Sequence, residues 1–112
     1  LINSYAWDTA IVFIQTFSGD QDYSKQIRLQ LSLTTTGDSH DNNNNYDVRC
    51  NIYDMAGNVR EWCTETYTDK NTPCVYRGVD CTPSNGYTAY RFYHSIGFVL
   101  NYIGFRTIMY LK

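Results

Sequence analysis

The sequence predicts a small α+β domain with one packed helix, a modest sheet and long loops. Three observations carry this. Apolar residues recur at helical spacing near the start of the chain. Later stretches alternate or cluster apolar residues in short, strand-length runs between turn-forming residues. Aromatic residues make up 16% of the chain, with 11 tyrosines, and such side chains suit half-buried pleated surfaces. A chain of 112 residues fits a single domain with a real but not generous core.

In chain order, Ser4 is placed to cap a helix over residues 5–17. Trp7, Ala10, Ile11, Ile14 and Phe17 form its apolar stripe, and Gly19 can end it. Residues 27–33 (IRLQLSL) alternate and predict a short strand. Residues 34–47, rich in Thr, Gly, Asp and Asn, read as a mobile surface loop without chemistry of its own. Residues 75–78 and 103–111 read as strands, and 79–102 between them as loop with short apolar pieces.

Composition excludes several classes of function. Nine basic and eleven acidic residues balance, so no nucleic-acid partner is implied. No apolar run approaches a membrane span. The chain shows neither a signal peptide nor an initiator Met, and we read residues 1–112 as one domain, the C-terminal part of a longer protein. The cysteines at 50, 63, 74 and 81 fit no zinc pattern of paired close ligands. Cys63 and Cys74 flank a short loop and can pair in an exported protein; small buried thiols explain them equally simply.

The most informative stretch is Asn51–Trp62, NIYDMAGNVREW, followed in order by Arg77-Gly78 and by Ile103-Gly104-Phe105-Arg106. These three pieces closely resemble the signature of the formylglycine-generating-enzyme-like (sulfatase-modifying) branch of the C-type lectin fold. The resemblance implies a small twisted antiparallel sheet backed by the helix of residues 5–17. It also implies that Asp54, Gly57, Val59 and Glu61 match calcium-binding positions, through two side-chain oxygens and two backbone carbonyls. Calcium favours several hard oxygens on a flexible loop. Read from the residues alone, Asp54 and Asn58 equally well hydrogen-bond the turn, with Gly57 allowing a tight backbone. No required cofactor is the expectation, with a structural calcium as the alternative to the hydrogen-bonded turn. Trp62 reads as core, and Arg60, where many relatives carry Trp, as facing a more exposed surface.

Catalysis in the family uses two cysteines, five residues apart after the Arg-Gly motif, that hold copper; soft thiolates suit Cu(I). Here Cys81 follows Arg77-Gly78, but Gly86 stands five positions later, and Val79 replaces the second Gly of the usual Arg-Gly-Gly. His40 and His94 have no evident nucleophile partner. The chain therefore reads as a non-enzyme.

The stretch after Arg77-Gly78, VDCTPSNGYTAYRFYHSIGFVLNYIGFR, resembles the variable region of proteins diversified by a diversity-generating retroelement. Mutagenesis there chiefly alters AAY codons to NNY, which cannot encode Lys, Glu, Gln, Met or Trp. None of those five occurs from Asn71 to Ile108, although they supply 13 of the 112 residues. A random scatter leaves such a gap about one time in a hundred, taking this chain's own usage rather than an average one. Phe92, Tyr93, Phe98, Val99, Leu100 and Tyr102 either pack inside or form an exposed patch for a partner. Arg77, Arg91 and Arg106 read as internally paired framework.

These readings converge on a ligand-binding domain with a hypervariable face drawn from residues 79–102. The expected contacts are Asp80, Ser84, Asn85, Tyr87, Tyr90, Tyr93, His94, Phe98, Asn101 and Tyr102. The expected partner is a protein or glycan on a target cell surface, the setting a phage tail or bacterial surface, with oligomerisation open. The alternative is an undiversified formylglycine-generating-enzyme-like domain of a secreted or surface protein.

Overall fold

A computed structural model describes residues 1–27, 47–82 and 86–109. It opens with helix α1 (Ser4–Phe17) and a 3-10 turn at Tyr23–Lys25. Among the described residues six strands follow: β1 (Val48–Arg49), β2 (Ile52–Tyr53), β3 (Arg60–Thr66), β4 (Cys74–Arg77), β5 (Arg91–His94) and β6 (Ile103–Phe105). The last four form one sheet in the order β5-β4-β3-β6, antiparallel except for the parallel β3–β6 pair. This is a small α+β fold of the C-type-lectin-like kind.

Helix α1 starts one residue earlier than the sequence suggests, because the cap is Asn3 rather than Ser4. The Asn3 Oδ1 accepts from the backbone N–H of Ala6 at 2.8 Å. The Ser4 hydroxyl donates instead to Glu65. At the other end Ser18 is the C-cap, and Gly19 follows with φ +78°, the left-handed geometry that glycine adopts most readily. Trp7, Ile11 and Ile14 are the buried stripe, at spacings of four and three. They join Ile2, Tyr23, Met55, Ala56 and Cys63 in the core.

Gly78 sits under that stripe. Its φ is +85°, and a Cβ there would lie 2.9 Å from the Trp7 ring. The glycine of Arg77-Gly78 thus lets the indole pack against the end of β4, while the Trp7 Nε1 donates to the Thr88 carbonyl at 3.1 Å. The β1–β2 hairpin turns on Cys50 and Asn51, both at positive φ, as a two-residue turn of its hand requires.

Three arginines tie distant segments together, as the sequence suggested. Arg106 grips both Glu61 oxygens at 2.9 and 2.8 Å and donates to the Tyr53 carbonyl at 2.7 Å. Arg77 pairs with Asp8, and Arg91 with Glu65. The bidentate contact of Arg106 combines charge with fixed direction.

Several expectations need correction. The strand predicted over 75–78 is Cys74–Arg77, and the one over 103–111 ends at Phe105, where Arg106 turns back to Glu61. Residues 79–102 are not all loop, since β5 pairs with β4 along its whole length. Apart from Ile27 and Asp47, the predicted strand at 27–33 and the loop at 34–47 lie outside the described residues. Asp47 is buried and accepts from the Tyr23 hydroxyl and the Ala56 N–H. Among the described residues no helix is long and apolar enough to cross a membrane.

Candidate functional site

Strand alternation sorts the candidate residues between two faces of the sheet. Glu61 stands opposite Arg77 and Arg77 opposite Arg91, on the side covered by α1. Trp62 stands opposite Tyr76 and Tyr76 opposite Phe92, on the other side. Phe105 of β6 registers with Trp62, so an aromatic residue occupies this row on every strand of the sheet.

Three of the rings in that row meet, those of Trp62, Tyr76 and Phe92. Trp62 and Tyr76 pack edge to face with centroids 5.2 Å apart, and Tyr76 and Phe92 stack at 5.3 Å. The run continues off the end of β5: Phe92 meets Tyr90 at 5.6 Å, and Tyr90 meets Tyr87 at 4.9 Å. Such contacts hold rings in set orientations and add to their burial energy. Tyr87 and Tyr90 keep 40% and 42% of their surface exposed, so the run emerges from the sheet into solvent.

Arg60 caps this row. Its guanidinium lies 4.4 Å from the Phe92 centroid and 5.8 Å from that of Tyr76, within cation–π range. Its Nε is 2.9 Å from Asp80 Oδ2, an ion pair whose alignment is too poor for a hydrogen bond. The other Asp80 oxygen accepts from the Thr82 N–H and hydroxyl. The expectation that Arg60 faces open surface is therefore corrected: its side chain is 12% exposed and clamped between two rings and a carboxylate. Asp80 as a ligand contact is corrected too. It is fully buried, so it orients Arg60 and anchors the chain after β4.

The remaining predicted contacts divide. Tyr93 points to the helix side of the sheet and stacks on Tyr67 at 4.0 Å, half-exposed but away from Tyr87 and Tyr90. His94 stacks on Phe98, both partly buried. Asn101 is exposed, and the Tyr102 carbonyl accepts from the Arg60 N–H at 3.0 Å. Ser84 and Asn85 lie outside the described residues. Sequence reasoning missed Arg60, Trp62, Tyr76 and Phe105 as members of one row. Arg60 and Trp62 are two apart on β3, but Tyr76 and Phe105 stand on other strands, so the row is legible only once the register is known.

At the calcium-like turn, Asp54 and Asn58 both adopt positive φ, and Asn58 Nδ2 lies 3.4 Å from Asp54 Oδ2. Both Glu61 oxygens are held by Arg106. Burial raises the Glu61 carboxyl above its usual pKa, and Arg106 counters that shift. A cation already faces this carboxylate, supplied by the chain itself. Among the described residues no group of three or more His, Cys, Asp or Glu is placed to hold a metal ion. All four cysteines are free thiols. Cys63 is buried against the helix side, and burial pushes its thiol up to about 11.

Residues 3–111 match the sulfatase-modifying factor enzyme 1-like domain family, and the chain belongs to that family. Neither a curated protein nor a solved structure matches it. The membership corrects the reading of the chain as a non-enzyme, because the family is that of an enzyme domain. That reading rested on the missing partner of Cys81, at the position held by Gly86, and on the lack of an evident nucleophile for His40 and His94. Loss of a second thiolate removes a soft two-ligand site for Cu(I).

Proposed function

We propose that this member of the sulfatase-modifying factor enzyme 1-like family presents a ligand-recognition surface built from residues 79–102, diversified by a retroelement. The observation that carries the proposal is the aromatic run that leaves the sheet at Phe92 and surfaces at Tyr90 and Tyr87. Tyrosine gives large contact area at low entropic cost, and rings already fixed against one another lose little more on binding. Exposed side chains of this segment flank a few buried positions. Tyr87, Tyr90, Ile96 and Val99 face solvent, whereas Thr88 and Gly86 do not. Such a segment accepts changes at the first set while the second keeps the backbone in place.

The partner in this proposal is a protein or glycan on a target cell surface, and the setting is a phage tail or bacterial surface. Sequencing the 3′ end of the gene across its source population tests the reading. Substitutions concentrated in codons for 79–102, with a nearby template copy differing at adenines, are expected. One invariant sequence with no template copy would remove the diversification claim and favour the undiversified alternative.

A structural calcium at Asp54, Gly57, Val59 and Glu61 is a separate proposal. It competes with Arg106 for the Glu61 oxygens, so binding should be weak and should release the guanidinium.

A further inference from the structure

On the helix side of the sheet, away from the aromatic run, a cavity of about 380 Å³ opens between the start of α1 and strands β3, β4 and β5. Ser4 and Asp8 line one wall; Glu65, Arg77 and Arg91 line the other. We infer that this cavity is a binding site for the carboxylate group of a small organic acid, held by Arg77 and Arg91.

Arg77 carries the argument. It is 2% exposed, and its guanidinium is only partly used. The Nε and Nη2 fork serves two carbonyls, those of Tyr90 at 3.2 Å and Ala89 at 3.1 Å. The second Nη2 hydrogen meets one oxygen of Asp8. An Nη1 hydrogen runs parallel to it in the planar guanidinium, so Nη1 presents its donor to the Asp8 side, where the cavity lies. Nη1 has no hydrogen-bond partner. A buried donor left unmade is costly, and a carboxylate that spans Nη1 and Nη2 completes the fork.

Three further features agree. Arg91 stands directly opposite Arg77 across β4 and β5, so two guanidiniums line the cavity together, each met from its wall by a carboxylate of the chain, Glu65 and Asp8. The first turn of α1 carries no acidic residue of its own, and the carboxylate it meets is that of Glu65, on the Ser4 hydroxyl, so this helix end favours an anion. Asp8, whose side chain is 59% exposed, holds Arg77 by one oxygen from a surface position and can swing away. It occupies the place a ligand carboxylate would take. Glu65, held by Ser4 and Arg91, closes the far wall in the same way.

Thermal unfolding and calorimetric titration of the intact chain test this. The probes are glucuronate and N-acetylglycine, with their methyl esters and inorganic phosphate at matched ionic strength. At least one free acid should stabilise the protein saturably, and the esters should not. Glucuronate alone would mark a sugar acid, N-acetylglycine alone a peptide carboxyl end, and either supports the site. Arg91→Gln should abolish the effect. Asp8→Asn, a surface change that removes the competing carboxylate, should tighten binding roughly tenfold, the scale of one charge-assisted contact. No saturable response to either acid, an equal response to the esters or to phosphate, or unchanged affinity in Asp8→Asn would overturn the inference.

Discussion

Strands β4 and β5 lie side by side in full register and are close in composition, CVYR against RFYH, yet they do opposite work. In β4 the last three residues are buried; in β5 exposed and half-buried residues alternate. The difference comes from place in the sheet. β4 is flanked on both sides and ends at Gly78 beneath Trp7, whereas β5 is an edge strand. β4 therefore holds the fold, and β5 with its flanking residues holds side chains toward solvent. Edge strands invite unwanted pairing, and β5 limits this by being four residues long and carrying Arg91 at its start.

The contrast breaks most visibly on the scaffold side. Trp7→Ala removes the largest fully buried side chain, and about 3–5 kcal/mol of unfolding free energy should go with it, measured by urea titration. Arg106→Gln removes the guanidinium that grips both oxygens of buried Glu61. A loss of about 3 kcal/mol is expected, and Glu61→Gln in the same background should recover part of it, because the buried charge is then gone. Cys63 sharpens the contrast through pH. Its thiol binds a proton more tightly folded than unfolded, so its stabilising contribution is complete below the ordinary thiol range. It declines as pH rises through about 11. Unfolding measured from pH 8 to 11 should show that decline, and Cys63→Ala should flatten it. At neutral pH exposed Cys50 should alkylate well before Cys63. The smallest effect belongs to the display side. Tyr87→Ser and Tyr90→Ser should each change stability by within about 1 kcal/mol, the worth of an exposed ring contact.

Much of the scaffold was legible in the sequence, for physical reasons that are local or carried by motif. The α1 stripe follows from spacing alone, and Gly78 and Arg106 follow from short motifs whose backbone and charge demands are strict. The cap was misplaced by one residue because Asn3 and Ser4 are both good caps and only the backbone decides between them. Strand β5 escaped notice because its edge position exposes half of it, which weakens the burial pattern a reader relies on. In the candidate site, Tyr87 and Tyr90 stood out as polar-tipped aromatics in a turn-rich stretch. Asp80 did too, but its burial depends on Arg60, twenty positions earlier, and no local pattern reports such a pair. The cavity at Arg77 was likewise invisible, since it needs β3, β4, β5 and α1 in their places at once.

The most direct test of a fixed scaffold carrying a changeable face is saturation substitution of residues 74–102, read by the yield of folded protein. The account predicts broad tolerance at Tyr87, Tyr90, Ile96, Val99 and Asn101, and sharp intolerance at Val75, Arg77, Gly78, Val79, Asp80 and Thr88. Equal intolerance across both sets would contradict it, because the exposed segment would then be framework rather than display.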